Sequence, residues 1–178
     1  YNARTDLLNA ISNAAKAAAE ATAAALDDAI QVGGRNLWLN SNIESPVTRN
    51  WTPNYNLNTI CEEAVAGGYP LTLSFDAKCI DTEAPTANKY ILFYTYPGTT
   101  ACNYSLFWTT IPITDSYRRY SITFSPTKST DPAHQTGVTT FNTYNAYTVK
   151  YQIRNFKLEK GNKATDWTPA PEDVQADY

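Results

Sequence analysis

The chain has 178 residues, enough for one ordinary domain and an appendage. It carries 14 Lys+Arg against 17 Asp+Glu, and the net charge of −3 speaks against a basic nucleic-acid binder. Mean hydropathy is −0.43, and no apolar run reaches the roughly 18 residues that a membrane span needs. One His and three Cys leave little from which to build a zinc set or Ser-His-Asp catalysis. The opening Tyr1-Asn2-Ala3-Arg4 has no apolar signal region and Met is absent throughout, so a fragment of a longer polypeptide is expected.

Composition changes abruptly at Gly33-Gly34. Residues 1–34 hold 12 Ala, no Pro and one of the 23 aromatics, whereas residues 35–178 hold all ten Pro and the other 22 aromatics. A helix followed by a β-rich domain is the expectation. Thr5 or Asp6 can cap the helix and Gly33-Gly34 can stop it, so it should run from Asp6 to Val32, about 40 Å. Ala favours the helix, but a lone helix of this kind is marginal in water and calls for a partner. Leu8, Ile11, Ala15, Ala18, Thr22, Ala25, Ala29 and Val32 alternate three and four residues apart, as the a and d positions of a coiled coil do. Leu26 and Ile30 fall off this stripe, which puts a register shift near Thr22. The competing arrangement is a single helix folded back on the β domain; the mixed surface of Lys16, Glu20, Asp27 and Asp28 favours the coil.

Residues 35–170 read as short strands cut by turns. Leu37-Trp38-Leu39 should open the domain as a short strand. Leu71 to Lys78 alternates strictly, with Leu71, Leu73, Phe75 and Ala77 facing the core. Lys89 to Tyr96 and Tyr104 to Ile113 are two further strands, and Arg119 to Phe124 turns Tyr120, Ile122 and Phe124 inward. Tyr147 to Leu158 is a long last strand, in which Val149, Tyr151 and Ile153 share one parity and Phe156 and Leu158 the other. A bulge near Arg154-Asn155 would return both sets to the core. No helical period separates the strands, and residues 41–70 and 125–146 look like long polar connections. That pattern predicts a mainly β fold, an antiparallel β-sandwich of jelly-roll type behind the helical coiled coil.

The C-terminal segment Asn155-Phe156-Lys157-Leu158-Glu159-Lys160-Gly161-Asn162-Lys163-Ala164-Thr165-Asp166-Trp167-Thr168-Pro169-Ala170-Pro171-Glu172-Asp173 resembles the ending of carbohydrate-binding-module-like jelly rolls in tail proteins of bacteriophages of Gram-positive hosts. Gly34-Arg35-Asn36-Leu37 with Asn40-Ser41-Asn42-Ile43-Glu44 is similar to the opening strand of these modules. Leu73 to Lys78 and Arg119 to Phe124 resemble two of their interior strands. The resemblance implies three parts: a coiled-coil stalk over 1–33, a carbohydrate-binding-module-like β-sandwich over 34–173, and a linker over 174–178. It also implies a receptor-binding tail or fibre protein of the virion, usually a homotrimer, that meets other tail proteins and a host cell-surface carbohydrate. The expected role is non-catalytic adhesion, with no nucleic-acid partner and no membrane insertion. The alternative is a structural trimerisation or spacer module of a fibre or baseplate protein that binds no ligand.

In the closing motif, Gly161 permits a turn, Trp167 can fold back as an apolar plug whose N–H needs a partner, and Pro169 and Pro171 hold the exit extended. Glu172 to Asp177 can begin a further helix. A sugar ring offers an apolar face and polar edges, and its complement is an exposed aromatic plane beside amides or Arg. In 89–96, Tyr90, Leu92, Tyr94 and Tyr96 share a face opposite Ile91 and Phe93. In 104–113, Tyr104, Leu106 and Trp108 oppose Phe107, Ile111 and Ile113. Tyr94, Tyr96, Tyr104 and Trp108 are therefore candidates for a binding platform, with Asn103, Arg118 or Gln152 for polar company. Arg118 joins these four as a candidate ligand-binding residue. The plainer alternative is that the tyrosines cover the core or a subunit seam. Trp51 and Tyr55 lie in an Asn-rich stretch that is a second possible site or simply packs down.

Cys61, Cys79 and Cys102 lack zinc spacing, and a buried thiol is the simplest account of Cys79. His134 has no local partner, and Glu62-Glu63 diverge rather than flank a glycosidic bond. Asn42, Glu44 and Asn155 could approach one another where the first and last strands meet. Oxygen ligands suit Ca²⁺, and related jelly rolls sometimes hold a structural Ca²⁺ there. The simpler expectation is no catalytic residue, no metal and no cofactor.

Overall fold

The computed structural model describes residues 2–29, 34–95 and 102–175. The chain divides into two compact units, Tyr1–Gln31 and Val32–Tyr178. The fold is mainly β, with antiparallel sheets and an N-terminal helix.

The first unit is helix α1, Asn2–Ala29. It starts four residues before the predicted Asp6, and the expected end at Val32 lies outside the described residues. Every described side chain of α1 is exposed, including Leu7, Leu8 and Ile11. Thr22 turns its hydroxyl back to the Ala18 carbonyl at 2.9 Å, so this polar atom is satisfied within the helix.

The second unit contains β1 (Asn50–Trp51), α2 (Asn58–Gly67), β2 (Leu71–Cys79), β3 (Tyr90–Tyr94), β4 (Tyr104–Ser105), β5 (Trp108–Pro112), β6 (Arg118–Phe124), β7 (Thr127–Lys128), β8 (Asn142–Tyr144), β9 (Tyr151–Lys160) and α3 (Pro171–Gln175). One sheet has the order β1-β8-β3-β5, a second β6-β2-β9, and β4 pairs with β7. All pairings are antiparallel. Inward residues of both larger sheets meet in one core. Phe75 of β2 and Phe93 of β3 bring their rings to 4.7 Å. Phe156 of β9 stacks on Trp38 at 4.7 Å, and Trp38 stacks on Tyr55 at 4.9 Å.

Leu71, Leu73, Phe75 and Ala77 are buried as their alternation requires, and Ile122 and Phe124 face them from β6. Thr72 and Ser74, on the opposite face of β2, are buried as well. The expected bulge in the last strand is present. Ser74 pairs with Lys157 while Asp76 pairs with Arg154, so Asn155 and Phe156 together oppose Phe75. Asn155 sits at φ +54, a left-handed conformation that Asn tolerates better than most residues. Both parity sets of β9, Tyr151 and Ile153 then Phe156 and Leu158, thereby reach the core.

Several expectations are corrected. Leu37-Trp38-Leu39 is not a strand: the Asn36 side-chain Oδ1 takes the Trp38 N–H at 3.0 Å and bends the chain into a turn, which buries Trp38. Residues 104–113 are not one strand, because the chain leaves β4 after Ser105 and joins a different sheet at Trp108. Tyr104 N–H is taken by the Thr139 hydroxyl and Leu106 N–H by that of Thr95, so side chains end the ladder between the pieces. The last strand begins at Tyr151 rather than Tyr147, since Asn145 holds the Tyr147 and Val149 N–H groups in a turn, with Thr148 at φ +62. The stretch 41–70 contains a helix, α2, which buries Cys61 and Ala64 and stops at Gly68, a left-handed C-cap at φ +67. Trp51 and Tyr55 pack down, Trp51 within 5.9 Å of Phe156.

The closing segment crosses the outer side of β9. Thr165 donates to Glu159, and Lys157 Nζ donates to the Thr165 hydroxyl and the Asp166 carbonyl, both at 2.8 Å. Two charged side chains are thus buried, 3.8 Å apart, with hydrogen bonds to each. Trp167 Nε1 donates to the Phe156 carbonyl at 3.1 Å, the partner that its plugging position demands.

Candidate functional site

The outer face of the four-stranded sheet follows from its register. Ile91 and Phe93 are sealed in the core, so Tyr90, Leu92 and Tyr94 must face the other way. Tyr94 pairs with Trp108 on one side and Asn142 on the other. Leu92 lies between Thr110 and Tyr144, and Asn50 continues that row beyond Tyr144. Tyr90 pairs with Pro112 and meets Tyr147 edge-to-face at 6.3 Å. Trp108 is 69% exposed on the edge strand β5. Its ring lies 5.2 Å from that of half-buried Tyr94, inclined by 45°. The Arg49 guanidinium stands 5.8 Å over the Tyr144 ring. The result is an open surface of aromatic planes interleaved with amide and hydroxyl groups.

Of the predicted platform, Tyr94 and Trp108 come together as neighbours across the β3–β5 ladder. Tyr104 does not join them: it is 3% exposed on β4, and burial raises its phenol pKa, with Glu62 adding to the shift. Arg118 is exposed but begins β6 of the other sheet, opposite Ala77. Tyr96 lies outside the described residues. Asn103 is half-buried, and Gln152, on β9, donates to the Ser45 carbonyl at 3.4 Å. Sequence reading missed Tyr144, Asn142 and Arg49, and placed Asn50 in the separate Trp51 and Tyr55 stretch. The short alternation Asn142-Thr143-Tyr144, with Thr143 buried, was the available signal, but it lies in a stretch otherwise rich in polar residues.

A second polar site forms where residues 41–45 run beside β9. Ser45 N–H donates to the Ile153 carbonyl at 2.8 Å and Asn155 N–H to that of Ile43 at 3.2 Å, and the backbones of Glu44 and Arg154 stand opposite as an isolated antiparallel β-bridge. Asn42, Ile43, Glu44, Arg154 and Asn155 line a cavity of about 360 Å³. The three residues expected to converge there, Asn42, Glu44 and Asn155, do so. Tyr117 donates its hydroxyl to Glu44 at 2.7 Å, and the Arg154 guanidinium lies 3.7 Å above the Tyr117 ring. Burial, followed by the hydrogen bond to Glu44, pushes the Tyr117 phenol up to about 12. Behind the lining, Asp76 binds Asn155 Nδ2 at 3.2 Å and pairs with Arg119 and Arg154. One lining carboxylate beside a guanidinium does not suit Ca²⁺, whose sites gather anionic oxygens.

The three cysteines are buried and free, and burial, then nearby Cys102, pushes the Cys61 thiol up to about 12. His134 stands 3.8 Å from Asp131. Among the described residues, no three His, Cys, Asp or Glu side chains group as metal ligands, and no helix is long and apolar enough to cross a membrane.

No protein-family model matches the chain, and no curated protein matches it. Among solved structures, the tripod from the baseplate of bacteriophage Tuc2009 is similar in part, at 17% identity and a TM-score of 0.39. The match covers 60% of this chain and 40% of that one, so this chain spans less than half of its length.

Proposed function

We propose that this chain is a non-catalytic adhesion module of a phage tail or fibre protein. Residues 34–173 form a jelly-roll sandwich that binds a host cell-surface glycan, and α1 is its coiled-coil stalk. The observation that carries the glycan reading is Trp108: a large ring open to solvent, paired with Tyr94, which pairs on its other side with Asn142. Leaving such a ring in water forgoes the roughly 2 kcal/mol or more that burial would contribute, and a sugar face recovers part of it on binding. The phage setting rests on the resemblance of the opening and closing motifs. An open face gives weak single-site binding; a trimer, repeated on a virion, multiplies it through effective concentration.

Glycan arrays and host cell-wall pull-downs with the intact chain test this reading. Trp108→Ala should lower retention at least tenfold and Tyr94→Ala several-fold. Undiminished binding by both variants would remove this face from consideration. The absence of any glycan or cell-wall ligand for the unaltered chain would favour the spacer alternative, which the exposure of every described side chain of α1 also suits.

A further inference from the structure

We infer that the cavity between residues 42–44 and the bulge of β9 is a second binding site, for a neutral polyhydroxylated group such as a single sugar residue. It stands apart from the Trp108 face, being built on the last strand of the other sheet. The walls are held by contacts behind them. Asp76 fixes Asn155 Nδ2, Arg119 donates to the Asn155 carbonyl, and Tyr117 engages one Glu44 oxygen while its ring supports Arg154. Asn155 itself is aimed by a left-handed backbone at the bulge, a device that redirects a side chain out of the regular pleat.

What those contacts leave over points into hydroxyl chemistry. The Asn42 carboxamide, Glu44 Oε2, Asn155 Oδ1 and both Nη atoms of Arg154 make no hydrogen bond to another described residue. Asn42 and Glu44 are exposed at the rim and Arg154 and Asn155 are half-buried, so all of them are open to a ligand. Arg154 Nε is buried and also lacks a hydrogen bond, with Asp76 only as an ion pair at 3.5 Å. The open groups therefore mix acceptors from Glu44 and Asn155 with donors from Arg154, and Asn42 supplies both. A hydroxyl both donates and accepts, so neighbouring hydroxyls satisfy this set. A cation would meet Arg154, and an anion would meet Glu44 with Asp76 behind it; both are opposed. The volume of about 360 Å³ admits one ring rather than a chain held lengthwise.

Two-dimensional NMR of the intact chain, titrated with glucose, galactose and N-acetylglucosamine, tests the inference; parallel titrations use CaCl₂ and inorganic phosphate. At least one sugar should shift the Asn42 and Asn155 side-chain amides and the Glu44 and Arg154 backbone amides. Asn42→Ala and Glu44→Gln should each weaken that response about five- to tenfold with thermal midpoints unchanged. Trp108→Ala should leave it intact, which separates this site from the aromatic face. Shifts from Ca²⁺ or phosphate alone, a sugar response lost in Trp108→Ala but kept in Asn42→Ala, or no response to any of the three sugars would overturn it.

Discussion

Asn36 shows how much one side chain can hold. Its Nδ2 donates to Ser41 Oγ, the Phe156 carbonyl and the Thr168 carbonyl at 2.8–3.0 Å, and its Oδ1 accepts from the Trp38 and Leu158 N–H groups. With only two N–H bonds, one of the three donor contacts is shared. The opening turn, β9 and the closing segment are thus tied through a fully buried amide. Asn145 does the same at the other connection, donating to the Asn88 and Tyr90 carbonyls and accepting from Tyr147 and Val149. Asn36→Ala strands buried peptide groups at about 1–3 kcal/mol each. Urea unfolding of that variant should show a loss of about 3 kcal/mol or more; a loss below about 1 kcal/mol would mean that water replaces the amide. The motif containing Asn36 was visible in the sequence as a resemblance, but its five partners lie up to 132 residues away and were not.

At the scale of elements, local pattern was a good guide to which residues of a strand turn to the core. The inward sets of β2 and β6 and the phase slip of β9 are all observed, although Thr72 and Ser74 on the other face of β2 are buried too. The guide failed where side-chain oxygens rather than the ladder hold the backbone, as at Trp38 and between β4 and β5. Helix α2 was hidden because its own apolar signal is small, with only Cys61 and Ala64 buried. Helix α1 makes the element-scale prediction. Its exposed Leu8 and Ile11 are the largest side chains on the a/d stripe, and the remaining described members are Ala or Thr, so they contribute most of the buried area of any coil. In light scattering, the intact chain should be oligomeric, and Ile11→Asp should weaken association at least tenfold without changing the β-type circular dichroism. A monomeric intact chain would dismiss the coil.

For the whole molecule, the ionisable groups predict how stability varies with pH. Burial raises the Cys61 thiol from 9.0 to about 12, and burial with the Glu44 contact raises Tyr117 from 10.0 to about 12. Burial also raises Tyr151, whose hydroxyl donates to Thr143 at 2.7 Å. In each case the fold favours the neutral form, while the unfolded chain releases its proton earlier. Their contribution is therefore complete below pH 9 and falls as pH rises from about 9 to about 12. Urea midpoints measured at pH 7, 9 and 11 should be similar for the first two and clearly lower at the third. A midpoint unchanged at pH 11 would show that these groups titrate freely in the fold.

The sequence by itself determined that a helix precedes a mainly β region, the inward faces of β2, β6 and β9, and the choice of Tyr94 and Trp108 as candidates. These follow from composition and from a period of two residues, which are properties of neighbours along the chain. Only the tertiary structure decided that Tyr104 is sealed while Trp108 is open, that Asn142 and Tyr144 complete the aromatic face, and that Glu44 meets Arg154. Those outcomes depend on which strands pair and in what register. Register is set by contacts between residues dozens of positions apart, and no local pattern encodes them.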